Sequence, residues 1–186
     1  TFDLYKDIQC RTNGEIYLGV VGPVRSGKST FIKRFMDVLV LPKMTDEHAK
    51  ERTVDELPQS ASGKSIMTTE PKFVPKEAAE IQLAKDVSVL VRLIDCVGYM
   101  VEGAAGHMEN GAERLVKTPW NEKEIPFTKA AEIGTKKVIH DHSTIGIVVT
   151  TDGSIGELPR NSYRAAEKKT IQELKSIGKQ FVAMDN

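Results

Sequence analysis

Residues 16–31, IYLGVVGPVRSGKSTF, run from an apolar stretch into a glycine and close on Gly27-Lys28-Ser29. The segment Gly22-Pro23-Val24-Arg25-Ser26-Gly27-Lys28-Ser29 fits G-x-x-x-x-G-K-[ST] at every fixed position. Its flanks fit as well. Glu15–Val21 is apolar with little alternation, which suits a buried parallel strand. From Lys28 onward, Phe31, Phe35 and Leu39 recur at spacings of four, which predicts a helix burying those three and ending at Pro42. Glycines in such a turn adopt backbone angles that other residues resist. Successive N–H groups then converge on phosphate oxygens, backed by the positive end of the helix. The candidate phosphate-binding set is Gly22, Pro23, Val24, Arg25, Ser26, Gly27, Lys28, Ser29 and Thr30. In it Lys28 is expected to reach the β- and γ-phosphates and the Ser29 hydroxyl to sit on Mg²⁺. Arg25 is read as touching phosphate, a neighbouring subunit or only solvent.

A second group of residues answers to the first. VLVRLI runs into Asp95-Cys96-Val97-Gly98, a D-x-x-G at the end of an apolar strand. Asp95 is a candidate catalytic residue and Mg²⁺ partner, and the Gly98 N–H a candidate donor to a γ-phosphate. Thr68 and Thr69 precede this strand pair, and either is a candidate sensor that closes on Mg²⁺ when the terminal phosphate is present. Thr69 is favoured for the direct metal contact. Gly63-Lys64-Ser65 repeats the G-K-S letters, but Pro58 stands where the upstream glycine belongs and no strand precedes it, so it is read as a loop.

Along the rest of the chain, residues 43–65 are polar without a period and read as a loop. AEIQLA and SVLVRLID, separated by a short charged turn, predict an antiparallel hairpin. Residues 99–126 read as a long irregular insertion, Phe127–His142 as an amphipathic helix and Thr144–Thr151 as a buried strand. Tyr163–Ile177 reads as a charged helix with Ala166, Ile171, Leu174 and Ile177 inward, and a further strand starts at Phe181. Strands alternating with helices predict an α/β fold: a P-loop NTPase of three α/β/α layers, mostly parallel, with one antiparallel hairpin edge. The order of P-loop, threonine, hairpin and D-x-x-G is that of the translation-factor-like GTPase class. Residues 1–186 are taken as one P-loop domain, and as a piece of a longer protein.

Two features depart from that class. A glutamine commonly follows D-x-x-G and orients the attacking water, whereas this chain has Tyr99. Hydrolysis is therefore expected to be slow, fitting a switch or an assembly clock, or to draw its water-orienting group from elsewhere, with Glu102 and Arg160 as candidates. The guanine-reading N-K-x-D is also absent from the 186 residues.

Lys+Arg (26) balances Asp+Glu (26), so no net field steers the chain to nucleic acid or an anionic membrane. Cys10 and Cys96 match no metal or redox spacing. His140 and His142, two residues apart, do not share a helix face, so a helix C-terminal turn is preferred to a metal site. Trp120 is read as local packing rather than a partner anchor.

The stretches GVVGPVRSGKSTFIKRFM, DELPQSASGKSIMTTEPKFVP, RLIDCVGYMVEGA, TPWNEKEIPFTKAAEIGTKKVI and HSTIGIVVTTDGSIGELPRNSY together resemble the stage IV sporulation protein A family, morphogenetic ATPases of the bacterial spore coat. The resemblance implies an N-terminal ATPase domain of GTPase ancestry using ATP and Mg²⁺. It implies Lys28 as Walker A lysine, Thr68 and Thr69 as sensors and Asp95 as Walker B aspartate. It also implies that hydrolysis drives a conformational change licensing self-assembly into a static polymer around the forespore, at its outer membrane surface in the mother cell. A small amphipathic membrane peptide would tether that layer, and coat proteins would build on it through regions outside these residues. The rival readings are a GTP-binding switch and a structural module that binds nucleotide with little hydrolysis.

Overall fold

The computed structural model describes residues 3–58, 69–104, 106–154, 156 and 158–185. The chain opens with α1 (Leu4–Arg11), which the apolar pattern did not announce; Asp3 caps it by accepting from the N–H groups of Tyr5 and Lys6. Then come β1 (Glu15–Val21), α2 (Lys28–Phe35), α3 (Glu47–Glu56), β2 (Lys72–Ala84) and β3 (Val87–Asp95). The small strands β4 (Met108–Glu109), β5 (Ala112–Glu113), β6 (Leu115–Thr118) and β7 (Asn121–Pro126) follow, and then α4 (Phe127–Lys137), β8 (Ile145–Thr150), α5 (Arg160–Ser176) and β9 (Phe181–Asp185).

Five strands form the central sheet in the order β2-β3-β1-β8-β9. β1 pairs in parallel with both β3 and β8, and β8 in parallel with β9. β2 runs antiparallel to β3, as the hairpin reading requires, although β2 starts earlier than AEIQLA and shifts register between Val74 and Ala79. Side chains alternate between the two faces with the period of two that strands impose. Leu18, Val20, Val89, Val91, Leu93, Ile147 and Val149 pack beneath α2 and its continuation, joined by Leu57 just past α3. Val21, Ile94 and Val148 pack against Val138, Ile139 and Leu174, brought by α4's continuation and by α5. The result is a mostly parallel α/β sheet with helices on both faces.

β1 is the hub. From its carboxyl end the chain crosses to β3 on one side, and later returns to β8 on the other. Residues 22–27 therefore lie at the carboxyl end of the strand where the connections diverge, the place at which open α/β sheets bind ligands.

Four expectations need correction. The stretch 43–65 contains α3, capped by Asp46, whose carboxylate accepts from Ala49 N–H at 3.0 Å. Along α2 the buried side chains are Ile32, Met36 and Val40; Phe31 and Phe35 only flank the core and Leu39 is exposed. The helix widens into a π-helical turn over Met36–Val40 and a 3₁₀ turn over Leu41–Lys43, which holds Pro42. The region 99–126 is not irregular throughout, since β4 pairs with β5 and β6 with β7 as two small hairpins. α5 starts three residues before Tyr163, at Arg160, and Ile177 lies exposed beyond its end. Among the described residues no helix is long and apolar enough to cross a membrane.

Candidate functional site

The turn from β1 into α2 is built on unusual backbone angles. Gly22 has φ +142°, Gly27 φ +91°, and Arg25 between them is an exposed non-glycine residue at φ +58°. Gly22 lies against β8, where a Cβ would be driven into the carbonyl oxygen of Val149. Pro23, Val24 and Ser26 are buried, while Ser29 and Thr30 are exposed at the start of α2. Gly98 (φ +90°) approaches the same turn from the end of β3. A Cβ there would strike the carbonyl oxygen of Gly22 and stand 2.9 Å from Lys28 Nζ. The two backbones are joined: Val24 N–H donates to the Tyr99 carbonyl at 2.9 Å, and Pro23 bridges Tyr99 in parallel.

Lys28 is 5% exposed, and its Nζ donates to the Pro23 carbonyl at 2.6 Å. Burial holds its amine below the usual lysine range, against the opposing pull of Cys96 and Asp95. Ser29 Oγ donates to Asp95 Oδ2 at 3.0 Å. The other carboxylate oxygen, Oδ1, is buried and has no hydrogen-bond partner among the described residues. Burial pushes the Asp95 carboxyl up, only partly countered by Lys28 and by the bond from Ser29. Cys96, the next residue, has its sulfur 3.5 Å from the Val20 carbonyl, and burial pushes its thiol up to about 11.

These residues fit a magnesium-bound triphosphate. A glycine turn at a helix start offers N–H donors, a desolvated lysine amine offers a cation, and a hydroxyl beside a carboxylate with an unused buried oxygen offers hard oxygen ligands. Among the described residues no group of three or more His, Cys, Asp and Glu side chains could hold a metal.

The other predicted residues fall as follows. Thr69 is 4% exposed, seated on α4 so that its carbonyl oxygen would lie 2.6 Å from a Cβ on Gly134. Thr68 and the repeat Gly63-Lys64-Ser65 lie outside the described residues. Glu102 is exposed, and Arg160 Nη2 is bound to Glu167 Oε2 at 2.7 Å. His140 sits in a closing π-helical turn and meets Glu173 at 2.7 Å, while His142 stands edge-on to Phe73 with ring centres 5.3 Å apart. Trp120 has the Lys137 amine 5.7 Å from its ring centre.

Tyr99 is turned away from solvent, 3% exposed, in a cluster with Val24, Val101, Ala104, Tyr163 and Ala166. Burial, with Glu173 and Glu132 nearby, drives its phenol far above the usual range. Sequence reading missed two parts of this site: the Pro23 carbonyl that receives Lys28, and the stitching of Val24 to Tyr99. Backbone groups carry no letter, so the one available signal was the proximity that parallel β1–β3 pairing imposes on the segments beyond both strands.

Comparison with known proteins gives a consistent result. A family model described as "Stage IV sporulation protein A, ATPase domain" matches residues 1–186. The chain is 59% identical over 184 residues to a Clostridioides difficile (strain 630) protein named stage IV sporulation protein A, covering 99% of this chain and 38% of that one. Proteins of the same name from Bacillus subtilis (strain 168) and Bacillus anthracis are 56% and 55% identical over 184 residues, each with 37% of its length covered. The chain thus spans a little over a third of the length of the curated relatives it matches.

Proposed function

Since the chain belongs to the stage IV sporulation protein A family through its ATPase domain, we propose that it is a P-loop ATPase of GTPase-like fold whose hydrolysis of ATP licenses assembly of the spore coat's basement layer. The observation that carries this is that the buried Lys28 amine and the Ser29–Asp95 pair both lie where the carboxyl ends of the paired strands β1 and β3 meet the start of α2. The sheet order, with β2 antiparallel at the edge, supports the GTPase-like ancestry.

In this reading Lys28 exchanges the Pro23 carbonyl for β- and γ-phosphate oxygens. Backbone N–H groups of the Arg25–Thr30 segment cradle the phosphates, since Pro23 has none and the Val24 N–H is held by the Tyr99 carbonyl. Ser29 and Asp95 hold Mg²⁺ directly or through water, and the Gly98 N–H faces the terminal phosphate. Thr68 or Thr69 reports its presence. Held by Ser29 and Asp95, magnesium would supply charge neutralisation at the phosphates, which would favour in-line attack by water. Loss of the terminal phosphate removes the contacts it makes with the Gly98 N–H and the threonine segment, and that change permits the protein to polymerise on the forespore's outer membrane surface. Coat proteins and a small amphipathic membrane peptide are the partners, through regions beyond these residues. Sedimentation of the full-length protein with Mg-ATP and with a non-hydrolysable analogue tests the licence: polymer is expected with ATP alone. Equal polymer with both would refute it.

Asp95 gives a second expectation. Its carboxyl is raised by burial in the ligand-free fold. A raised group contributes stability below the ordinary carboxylate range and loses it as pH climbs through the raised value. At neutral pH burial of the Asp95 carboxyl is therefore a cost to the ligand-free fold, and a bound cation would offset it. Asp95→Asn is expected to lower Mg-ATP hydrolysis about 10²-fold while the ligand-free melting temperature at pH 7 does not fall. The difference in melting temperature between variant and parent should shrink toward acid pH, and parallel melts and phosphate-release assays check both halves.

A further inference from the structure

Tyr99 occupies the place from which a glutamine would orient water, yet its side chain goes elsewhere. The ring lies beneath α5, packed on Tyr163 and Ala166, with Val24 of the phosphate turn in the same cluster. Lys169 of α5 caps it, Nζ 4.7 Å from the ring centre, and the same amine reaches Glu132 of α4 at 3.3 Å. The Tyr99 hydroxyl is buried and has no hydrogen-bond partner among the described residues, so none of them engages the phenol oxygen. What is used is the ring as a wedge and the backbone as a tie: the Tyr99 carbonyl takes the Val24 N–H, and its neighbour Gly98 is pressed between the Gly22 carbonyl and Lys28.

We propose that Tyr99 is a positioning residue: its ring, locked between α5 and the phosphate turn, fixes Gly98 in place to read the terminal phosphate, and its hydroxyl takes no part in the reaction. The inference rests on the reading of Gly98 given above. It follows that the chain lacks a water-orienting side chain at this position because the position has a different task. It also follows that presence or loss of the terminal phosphate, felt at Gly98, is passed through one aromatic ring to α5 and, by Lys169, to α4.

The test uses the full-length protein and its affinities for Mg-ADP and for the magnesium complex of a non-hydrolysable ATP analogue, together with kcat and KM for ATP. Tyr99→Phe keeps the ring and is expected to stay within twofold of the parent in every quantity. Tyr99→Gln places an amide in an apolar cluster and loses the wedge. Its ADP affinity is expected within threefold of the parent, its analogue affinity about tenfold weaker and its kcat at least tenfold lower. A tenfold fall in kcat for Tyr99→Phe would overturn the proposal, because the phenol would then be doing chemistry. So would a Tyr99→Gln protein with higher kcat than the parent, or one weakened equally toward ADP and the analogue, since equal loss marks general damage. The Tyr99→Phe result stands as a test even if Tyr99→Gln does not fold. A parent that binds ADP and the analogue equally would instead overturn the reading of Gly98, and the proposal with it.

Discussion

Lys28→Ala is expected to reduce ATP hydrolysis by about 10²–10³-fold, the scale of removing one preorganised charge-stabilising group from a desolvated site. The reason lies in how the amine is kept. It is buried, 2.6 Å from the Pro23 carbonyl, and burial works against its charge. An amine whose charged form burial disfavours gains when anionic oxygens replace a neutral carbonyl. The same burial fixes the sign of the stability effect. A lysine whose value is lowered contributes stability above its ordinary range and loses it as pH falls through the lowered value, so at neutral pH the amine is a burden on the ligand-free fold. Alanine is therefore expected to leave the ligand-free melting temperature unchanged or higher while phosphate release collapses. Phosphate release at saturating Mg-ATP, with a thermal melt of the same sample, checks both. A variant that binds and hydrolyses ATP at the parent rate would remove Lys28 from the site.

Gly98→Ala is expected to lower hydrolysis about 10²-fold and to cost stability on the order of 1–3 kcal/mol from backbone strain. Two effects combine. At φ +90° an L side chain is strained, and the new Cβ would press into the Gly22 carbonyl oxygen beside Lys28. Either the D-x-x-G segment lifts from the phosphate turn or the turn itself deforms, and both take the Gly98 N–H away from the terminal phosphate. Gly111 provides the control, since it has φ +81° and a Cβ there would meet nothing within 4 Å. Gly111→Ala should show the strain in a melt and leave hydrolysis at the parent rate. Loss of activity in Gly98→Ala no greater than in Gly111→Ala would mean that the close approach of Gly98 has no functional role.

How much of this was open to a reader of the sequence depends on which groups carry the information. Gly22, Lys28, Ser29, Asp95 and Gly98 were legible because their chemistry lies in side chains, or their absence, at fixed spacing, and the structure gathers these five at one end of the sheet. The strand pairs were legible because apolar runs bounded by turns have few other uses. α3 was not, because Thr53 is its one buried residue. Without an apolar stripe, its support comes from the Asp46 cap and from Glu56, which accepts the Lys76 N–H of β2 at 2.6 Å. The buried face of α2 was misjudged by one position: Phe31-Phe35-Leu39 and Ile32-Met36-Val40 have the same period, and period alone cannot choose the phase. The bulkier aromatics drew the reading, whereas the sheet takes the narrower aliphatic row and leaves the rings at its rim. The task of Tyr99 was beyond reach for a different reason. Its surroundings come from α5, more than sixty residues further along the chain, and no local pattern reports a contact of that range.

The two cysteine thiols sit at opposite ends of the domain and differ in reactivity. Cys96 is buried beside the phosphate turn with its thiol pushed up to about 11, so at neutral pH almost none of it is the thiolate that oxidants and electrophiles attack. Cys10 is exposed on α1, whose neighbour Gln9 binds the Ser88 carbonyl at the amino-terminal end of β3, across the sheet from that turn. A thiol-directed maleimide dye will therefore react at Cys10 and spare Cys96, which makes α1 a natural point of attachment for a reporter.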